Sequence, residues 1–367
     1  MSELRVIIAG GGTGGHIFPA VAVGHALQRL HPGTKLLFVG AQGKMEMEKV
    51  PQEGFDIIGL DIAGLNRHHI WKNFLLPFKL LKTRMQSKSI IKQFNPGAIV
   101  GVGGYASFPV LHAGQSMNIP TLIQEQNSFA GKSNKILGRR AKAVCVAYEH
   151  MEQFFPKDKI IVTGNPVRKN ISEMSITSEE GKLWFGVTNS GKTILVVGGS
   201  LGAKSINESI DAHLDEIMKE DVQLIWQTGK HYYDQAKRRG SEYGDRVKVF
   251  EFIKEMDYAY AAADVVISRA GALAIAELCI AGKPVIFVPY PHAAEDHQTS
   301  NALALVAHNA ALLVKDHDAK TELLKKLKTL LHDNAMQEIM SRNLKAMAIK
   351  DADERIANKV IEIAKAN

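Results

Sequence analysis

Residues 5–16 read RVIIAGGGTGGH, and they contain the strongest indication of the fold class. A β-branched run enters a tight glycine turn, and a helical pattern over residues 17–30 follows the turn. A strand, a glycine turn and a helix N-terminus together bind phosphate or another anion, because the first N–H groups of the helix have no partner within it. The stretch therefore predicts a nucleotide-binding type of α/β domain.

A second stretch of the same kind, ILVVGGSLGA at residues 194–203, opens the second half of the chain. It has Ser200 at its centre and lacks the lysine of a P-loop. We therefore expect its backbone N–H groups and the Ser200 hydroxyl to hold a diphosphate without a metal. The alternative is a tight strand–helix turn that binds no ligand. Two such stretches predict an α/β fold of two doubly wound, Rossmann-like domains that face a cleft.

Short apolar runs alternate with helical patterns along the chain, which predicts parallel sheets covered by helices on both faces. The predicted strands are residues 5–9, 35–39, 98–102, 121–124, 143–147, 160–162, 193–197, 223–227, 247–250, 265–268, 285–288 and 311–314. The run Gly164-Asn165-Pro166 predicts a boundary, with one domain at residues 1–165 and a second at 166–350. Residues 351–367 form a last helix that is long enough to pack back on the first domain.

The composition fits a soluble globular protein, since 46% of the 367 residues are hydrophobic and 23% are charged. Cys145 and Cys279 lie in apolar contexts, which predicts buried thiols in a reducing compartment. A first strand that begins near Leu4 leaves no room for a signal peptide, and no apolar run reaches the roughly 20 residues of a transmembrane helix. We therefore expect a cytoplasmic protein.

The net charge of +7 is unevenly distributed, because no acidic residue occurs between Asp61 and Glu125. Within this window cations are mixed with bulky apolar residues: Arg67, Ile70, Trp71, Lys72, Phe74, Leu75, Leu76, Phe78, Lys79, Leu80, Leu81, Lys82, Arg84, Lys88 and Lys92. Such a mixture suits the surface of an anionic bilayer, although a basic and partly buried connecting helix has the same composition. Nucleic acid is not an expected partner, because no nucleic-acid-binding motif accompanies the charge.

The first turn ends in His16 at the mouth of a helix, where the helix dipole disfavours a charged imidazole. A general base requires a neutral imidazole, so His16 is the candidate base, with a turn-capping histidine as the alternative. Gly10, Gly12 and Gly15 match the spacing of the dinucleotide fingerprint. The second strand, however, ends in residues 38–41, FVGA, without the carboxylate that would hold a ribose, which argues against NAD.

Other polar or glycine-rich segments follow predicted strands, at the edge where open α/β sheets bind ligands. They are residues 101–105 (GVGGY), 124–127 (QEQN), 268–277 (SRAGALAIAE) and 291–299 (PHAAEDHQT). A carboxylate near a bound nucleotide can accept hydrogen bonds from both ribose hydroxyls, and Glu277 is the candidate for this role. The alternative is that Glu277 is a solvated helix residue with no ligand. The sequence has no HExxH motif, no CxxC pair and no carboxylate cluster, so we expect no metal and no cofactor.

Taken in order, these motifs resemble the MurG family of bacterial peptidoglycan synthesis. The matching segments are GGTGGH (11–16), GVGGY (101–105), EQN (125–127), GNPVR (164–168), GGSLGA (198–203), SRAGAL (268–273) and DHQT (296–299). The resemblance implies the GT-B glycosyltransferase architecture and inverting transfer of N-acetylglucosamine from UDP-N-acetylglucosamine. The implied acceptor is the 4-hydroxyl of undecaprenyl-diphospho-N-acetylmuramyl-pentapeptide (lipid I), the product is lipid II, and the implied location is peripheral, on the cytoplasmic face of the cell membrane.

The resemblance also assigns roles to residues. His16 would be the base, assisted by Glu125, with Tyr105 beside them on the acceptor side. The donor-binding residues would be Thr13, Gly14, Gly15, Asn127, Arg168, Ser200, Ile253, Ala272, Leu273, Ala274, Ile275, Ala276, Glu277 and Gln298. The family often has histidine before the EQN triplet, and Gln124 in this chain argues against an ionisable group at that position.

Three other functions share some of these features. A UDP-N-acetylglucosamine 2-epimerase resembles the same two-domain architecture but needs no lipid acceptor. An NAD-dependent oxidoreductase would lack its ribose carboxylate here, and a membrane-docked sensor of sugar nucleotides would need no base. Release of UDP that depends on a muramyl lipid acceptor would separate these alternatives.

Overall fold

The computed structural model describes residues 3–62, 76–188 and 190–366, and among these it leaves the side chains of residues 76–80 and of Ala294 undescribed. Backbone contacts divide the chain into a first unit, Met1–Arg168 with Asp351–Asn367, and a second unit, Lys169–Lys350. The break after Arg168 lies close to the boundary expected at residue 165. The C-terminal residues return to the first unit.

The described part of the first unit contains a seven-stranded parallel sheet with the strand order β3-β2-β1-β4-β5-β6-β7. The strands are β1 (Arg5–Ala9), β2 (Lys35–Ala41), β3 (Ile57–Leu60), β4 (Ala98–Gly101), β5 (Thr121–Glu125), β6 (Ala143–Val146) and β7 (Ile160–Val162). The strand order reverses between β1 and β4, where Ala9 pairs with Gly101. In doubly wound sheets, ligands bind beyond the carboxyl ends of the strands at this reversal.

Helices cover both faces of this sheet, as alternate residues of β1 show. Val6 and Ile8 lie in one hydrophobic core, and Ile7 and Ala9 lie in the core on the opposite face. The helices described before the break are α1 (Gly14–Leu30), α2 (Glu46–Gln52), α3 (Leu76–Phe94), α4 (Ser107–Ser116) and α5 (Lys132–Gly138). A strand with two buried faces reads as a continuous apolar run, which is why the sequence predicted it correctly.

The described part of the second unit repeats the scheme with six parallel strands in the order β10-β9-β8-β11-β12-β13. They are β8 (Lys192–Val197), β9 (Val222–Gln227), β10 (Val247–Phe250), β11 (Val265–Ser268), β12 (Val285–Phe287) and β13 (Leu312–Leu313). The order reverses between β8 and β11, where Val197 pairs with Ser268. The predicted class of two doubly wound, Rossmann-like units is thereby confirmed.

Ten α-helices are described in the second unit. They are α6 (Lys169–Ser172), α7 (Ser178–Phe185), α8 (Lys204–Ala212), α9 (Leu214–Ile217), α10 (Tyr233–Ser241), α11 (Met256–Ala262), α12 (Ala272–Ala281), α13 (His297–Val306), α14 (Ala319–His332) and α15 (Asn334–Ala346). Two of them, α8 and α12, begin directly after the turns that follow β8 and β11. The strand reversal therefore lies between two helix N-termini.

The last helix, α16 (Ala352–Lys365), packs against the first unit. Ile356 and Val360 are fully buried in the core that contains β1 and α1. Arg29 of α1 also donates hydrogen bonds to Asp353 and Glu354. Burial of these side chains stabilises the contact more than the ion pairs do. A buried aliphatic side chain contributes about 1.5–3 kcal/mol, whereas a largely exposed ion pair contributes roughly 0–1 kcal/mol.

Candidate active site

The first glycine turn connects β1 to α1 through backbone conformations that favour glycine. Gly11 has φ = +137° and Gly12 has φ = +92°, in the region that residues with a Cβ rarely adopt. The carbonyl of Thr13 then accepts hydrogen bonds from the N–H groups of His16 and Ile17, which begins the helix. The turn thus places Thr13 and His16 at the carboxyl end of β1.

The loop after β4 lies directly against this turn. Gly103 and Gly104 have φ values of +90° and +82°, and the N–H of Gly11 donates to the Gly103 carbonyl. A Cβ on Gly104 would lie 2.1 Å from the carbonyl oxygen of Gly11, so the two backbones meet without room for a side chain. Because β1 and β4 are neighbours at the strand reversal, two segments far apart in sequence form one surface.

Three predicted residues come together on this surface. The ring of His16 lies beside Gly103, and its Nδ1 is 3.2 Å from the Thr13 hydroxyl. Tyr105 is 55% exposed and its ring lies beside Gly12. The structure therefore groups Thr13, His16 and Tyr105 at one sheet edge, next to Gly14 and Gly15 in the first turn of α1.

Glu125 ends β5 and is buried, with four hydrogen-bond donors around its carboxylate. Oε1 accepts from the backbone and side-chain N–H groups of Asn127, and Oε2 accepts from the Gly131 N–H and the Asn134 amide. Burial raises the pKa of this carboxyl, and the hydrogen bonds from Asn134, Asn127 and Gly131 oppose that rise. The side chain thus holds in place the loop that carries Asn127.

An amide network lies beside Glu125. Gln124 is fully buried, donates to the Asn165 side-chain oxygen at 2.9 Å and accepts a hydrogen bond from Gln126. Asn165 in turn donates to the Gln126 carbonyl, and Arg168, half-buried, follows at the end of the first unit. Position 124 therefore has a satisfied amide in a packed network, which agrees with the absence of an ionisable group there.

In the second unit, the turn after β8 is held by Gln227, a residue that was not among the candidates predicted from the sequence. The Gln227 amide donates to the Gly199 carbonyl at 2.9 Å, and its oxygen accepts the Ile253 N–H at 3.3 Å. Gly199 and Gly202 have φ values of +83° and +79°. Ser200 is exposed between them, so its hydroxyl and the turn are accessible. The signal was present, because Gln227 is the last, polar residue of a predicted strand.

The side chain of Ile253 is buried, at 3% exposure, and its N–H is used by Gln227. The residue therefore joins the turn after β8 to the segment that follows β10.

The third predicted segment forms the start of α12, with Gly271 as its N-cap in an extended conformation. The next residues are half-buried, apart from Ile275 and Glu277, which are buried; the predicted set here is Ala272, Leu273, Ala274, Ile275, Ala276 and Glu277. The Tyr260 hydroxyl donates to the Glu277 carboxylate at 3.1 Å. Gln298, on α13, accepts the Tyr290 N–H through its side-chain oxygen.

Arg269 connects the loops at this edge, a role that its sequence context did not predict. Its guanidinium donates to the carbonyls of Val288 and Pro289, to the Ser205 hydroxyl and to the Asp316 carboxylate. Its side chain is only 12% exposed. Since a planar guanidinium presents several fixed donors, one arginine can hold the ends of β11 and β12 against the start of α8.

Part of the basic window predicted to contact a membrane lies outside the described residues, and Trp71 and Phe74 are in that part. The side chain of Phe78 is likewise not described. Further along α3, Leu81 and Met85 are 56% and 64% exposed, and they line an open cavity of about 740 Å³ with Gln42, Asp61, Lys82, Gln86 and Ser89. In the described ranges no helix combines the length and apolar character needed to cross a membrane.

Comparisons with known proteins agree with this architecture. The glycosyltransferase family 28 N-terminal domain matches residues 6–146, and the glycosyltransferase family 28 C-terminal domain matches residues 193–356.

Two bacterial relatives share the printed name UDP-N-acetylglucosamine--N-acetylmuramyl-(pentapeptide) pyrophosphoryl-undecaprenol N-acetylglucosamine transferase. The protein of Parabacteroides distasonis is 48% identical over 364 residues, and that of Bacteroides thetaiotaomicron is 51% identical over 368 residues. Each match covers 99% of both chains.

Among solved structures, that of Acinetobacter baumannii MurG is 30% identical with a TM-score of 0.80, covering 98% of this chain and 99% of that one. A UDP-N-acetylglucosamine 2-epimerase covers 100% of this chain and 98% of its own with a TM-score of 0.65. Its identity is only 15%, so it shares the fold alone.

Proposed function

Because the chain belongs to the MurG family of N-acetylglucosamine transferases, we propose that it moves N-acetylglucosamine from UDP-N-acetylglucosamine to lipid I. The product is lipid II, an intermediate of peptidoglycan synthesis. The observation that carries the proposal is the match over 99% of the chain to relatives named for this reaction. The two strand reversals, each flanked by glycine turns, supply the kind of site that such a reaction needs.

We assign the donor's diphosphate to the turn after β8. Ser200 is exposed there, and the N-terminus of α8 adds the partial positive charge that favours an anion. Glu277, in the middle of α12, would hold the ribose. The other donor contacts proposed are Thr13, Gly14, Gly15, Asn127, Arg168, Ile253, Ala272, Leu273, Ala274, Ile275, Ala276 and Gln298. Backbone N–H groups can hold a diphosphate without a metal.

The proposed reaction is a single inverting displacement at the anomeric carbon. The 4-hydroxyl oxygen of the acceptor forms the new bond to that carbon as the bond to the UDP oxygen breaks. His16 takes the hydroxyl proton, a step typically worth about 10²–10⁴-fold in rate. The proposal requires the tautomer in which Nδ1–H donates to the Thr13 hydroxyl, so that Nε2 accepts the proton. The leaving UDP takes the electron pair, and fixed N–H groups of the turn after β8 stabilise the charge.

Tyr105 and Glu125 have different parts in this proposal. Tyr105, exposed beside Gly12, borders the acceptor. Glu125 is enclosed by donors from Asn127, Gly131 and Asn134, so it assists by positioning that loop.

Acceptor-dependent release of UDP tests the proposed function. The chain is incubated with UDP-N-acetylglucosamine, with and without the muramyl lipid acceptor, and released UDP is measured. We expect release only with the acceptor, and loss of most turnover with unchanged donor affinity in His16→Ala. Conversion of the sugar nucleotide to its 2-epimer without acceptor would instead establish an epimerase. Binding without turnover would establish a sensor, and abolition of transfer by EDTA would contradict the metal-free donor site.

We further propose that the enzyme binds peripherally to the cytoplasmic face of the cell membrane, where its lipid-linked acceptor resides. The basic apolar window of the sequence supports this, since cations and bulky apolar groups together favour anionic bilayers. Replacing Trp71, Phe74 and Phe78 with serine should abolish cosedimentation with anionic vesicles. Replacing Leu183 and Trp184, which are exposed on α7, is the control that should leave it unchanged. Equal binding by both variants would refute the assignment.

A further inference from the structure

Glu46 is a buried carboxylate to which the proposed chemistry gives no part. It is 1% exposed and is the first residue of α2, the short helix that follows β2. The sequence showed no carboxylate at the end of β2, yet Glu46 reaches this position from the next element. A buried carboxylate is costly unless it is fully hydrogen-bonded, so its placement needs a reason.

Both carboxylate oxygens of Glu46 accept backbone N–H groups at the sheet edge. Oε2 accepts the Gly12 N–H at 2.7 Å, and Oε1 accepts the Ala41 N–H at 2.9 Å. Hydrogen bonds to an ionised acceptor are short and roughly twice as strong as neutral ones. Glu46 thus joins the first glycine turn to the end of β2.

Two glycines make room for this side chain. A Cβ on Gly11 would lie 2.3 Å from the Glu46 carboxyl carbon, and a Cβ on Gly40 would lie 2.5 Å from its Cγ. The carboxylate therefore fills a space that any other residue at either position would close. The same turn has positive φ at Gly11 and Gly12. Glycine can adopt many backbone conformations, so a turn built on glycines needs hydrogen bonds such as these to hold a single conformation.

We propose that Glu46 is a positioning residue that fixes the first glycine turn and, through it, the imidazole of His16. The N–H of Gly12 is held by the carboxylate, so the turn has one conformation before substrate binds. His16 follows in the first turn of α1, and its ring is confined between Thr13 and Gly103. The hydrogen bonds of Glu46 do not depend on the proposed function, whereas the expected effect on catalysis rests on it.

The test compares Glu46→Gln with Glu48→Gln, a control on the same helix whose side chain is 70% exposed. Glutamine keeps the size of Glu46 but sets an N–H₂ group against one of the two N–H donors. We expect Glu46→Gln to lower kcat about tenfold, the factor that corresponds to 1.4 kcal/mol, and to raise KM for UDP-N-acetylglucosamine by a smaller factor, because the same turn contributes only the proposed donor contacts Thr13, Gly14 and Gly15. Glu48→Gln should match the wild type in both.

A double-mutant cycle with His16→Ala separates positioning from general damage. If Glu46 acts through His16, Glu46→Gln should cost less than about threefold once His16 is absent, because coupled residues are not additive. The proposal would be overturned if Glu46→Gln lowered kcat by the same factor in the His16→Ala variant as in the wild type. A wild-type kcat for Glu46→Gln alone would also overturn it. If Glu46→Gln fails to fold, Glu46→Asp replaces it, because aspartate keeps the charge but is too short to reach both N–H groups.

Amide hydrogen exchange at Gly12 and Ala41 supplies a measurement that needs no turnover. Both N–H groups should lose protection in Glu46→Gln and keep it in Glu48→Gln. If the wild type transfers no sugar, the proposed function fails while this exchange result still decides whether Glu46 fixes the turn. Unchanged protection in Glu46→Gln would contradict the inference whatever the activity.

Discussion

The imidazole of His16 lies against the α-carbon of Gly103, across the neighbouring ends of β1 and β4. A methyl group placed on Gly103 would lie 2.8 Å from Nε2 and 2.7 Å from Cδ2 of the ring. The position of the candidate base is thus set by a residue far from it in sequence. The missing side chain of Gly103 is what allows the ring to occupy its place.

Gly103→Ala should therefore displace His16 and lower kcat by at least about tenfold, the loss expected when a general base is misplaced. Gly33→Ala is the matched control, because Gly33 has φ = +88°, close to the +90° of Gly103, but nothing lies within 4 Å of its added methyl group. Both variants share the backbone strain, and only Gly103→Ala moves the ring. Equal kcat in the two variants, measured together with their Tm, would contradict the assignment.

Gln227→Ala should weaken UDP binding by about tenfold, on the order of one buried hydrogen bond. The substitution removes the bridge from Gly199 to Ile253 and so loosens the turn that we assign to the diphosphate. Gln223→Ala is the control on the same strand, since Gln223 is equally buried and bridges the backbone of Thr188 and Ser190 instead. Calorimetric titration with UDP should show a change only for Gln227→Ala, and equal losses would refute the assignment.

Glu125 should give the stability a distinct pH dependence. Burial raises its pKa above the ordinary value of 4.5, so the folded chain binds this proton more tightly than the unfolded chain does. The free energy of unfolding of the wild type, relative to Glu125→Gln, should therefore rise as the pH falls from above the raised pKa to below 4.5. Chemical denaturation across this range measures the difference.

Glu180 provides a control of opposite sign for that experiment. Hydrogen bonds from the backbone and side chain of Thr177 lower its pKa, so its contribution is present above pH 4.5 and is lost as the pH falls through the lowered value. The wild type should thus lose stability relative to Glu180→Gln on acidification. Parallel curves for both variants would contradict the account of Glu125.

The two cysteines should be inert to thiol reagents in the folded protein. Cys145 and Cys279 are free and buried, as the sequence predicted, and burial raises the pKa of each thiol to about 12. The thiolate is the reactive form, so labelling should follow unfolding and not the pH of the buffer. Rapid labelling of either cysteine under native conditions would contradict their placement.

The strands and turns were predictable because local signals coincide there. The apolar run of β1 has two buried faces, and the turn that follows it contains Gly11 and Gly12 at positive φ. By contrast, β3 was missed, since its four residues are interrupted by Gly59 and the strand is defined by its pairing with β2.

The supporting residues of the site were not predictable from local pattern. Glu46 begins a short helix that contains Pro51, and its partner Gly12 lies on another element. Arg269 and Gln227 act through backbone groups that only the strand order brings near them. Motifs thus indicated the segments that we propose to contact substrate, whereas the residues that hold those segments were identified only from the fold.

The most direct test of the account is the identity of the products. The chain is incubated with UDP-N-acetylglucosamine and undecaprenyl-diphospho-N-acetylmuramyl-pentapeptide, and lipid and nucleotide are analysed by mass spectrometry. We expect the lipid to gain a single N-acetylhexosamine for each UDP released. An unchanged lipid, accompanied by free sugar or by an isomer of the sugar nucleotide, would contradict it.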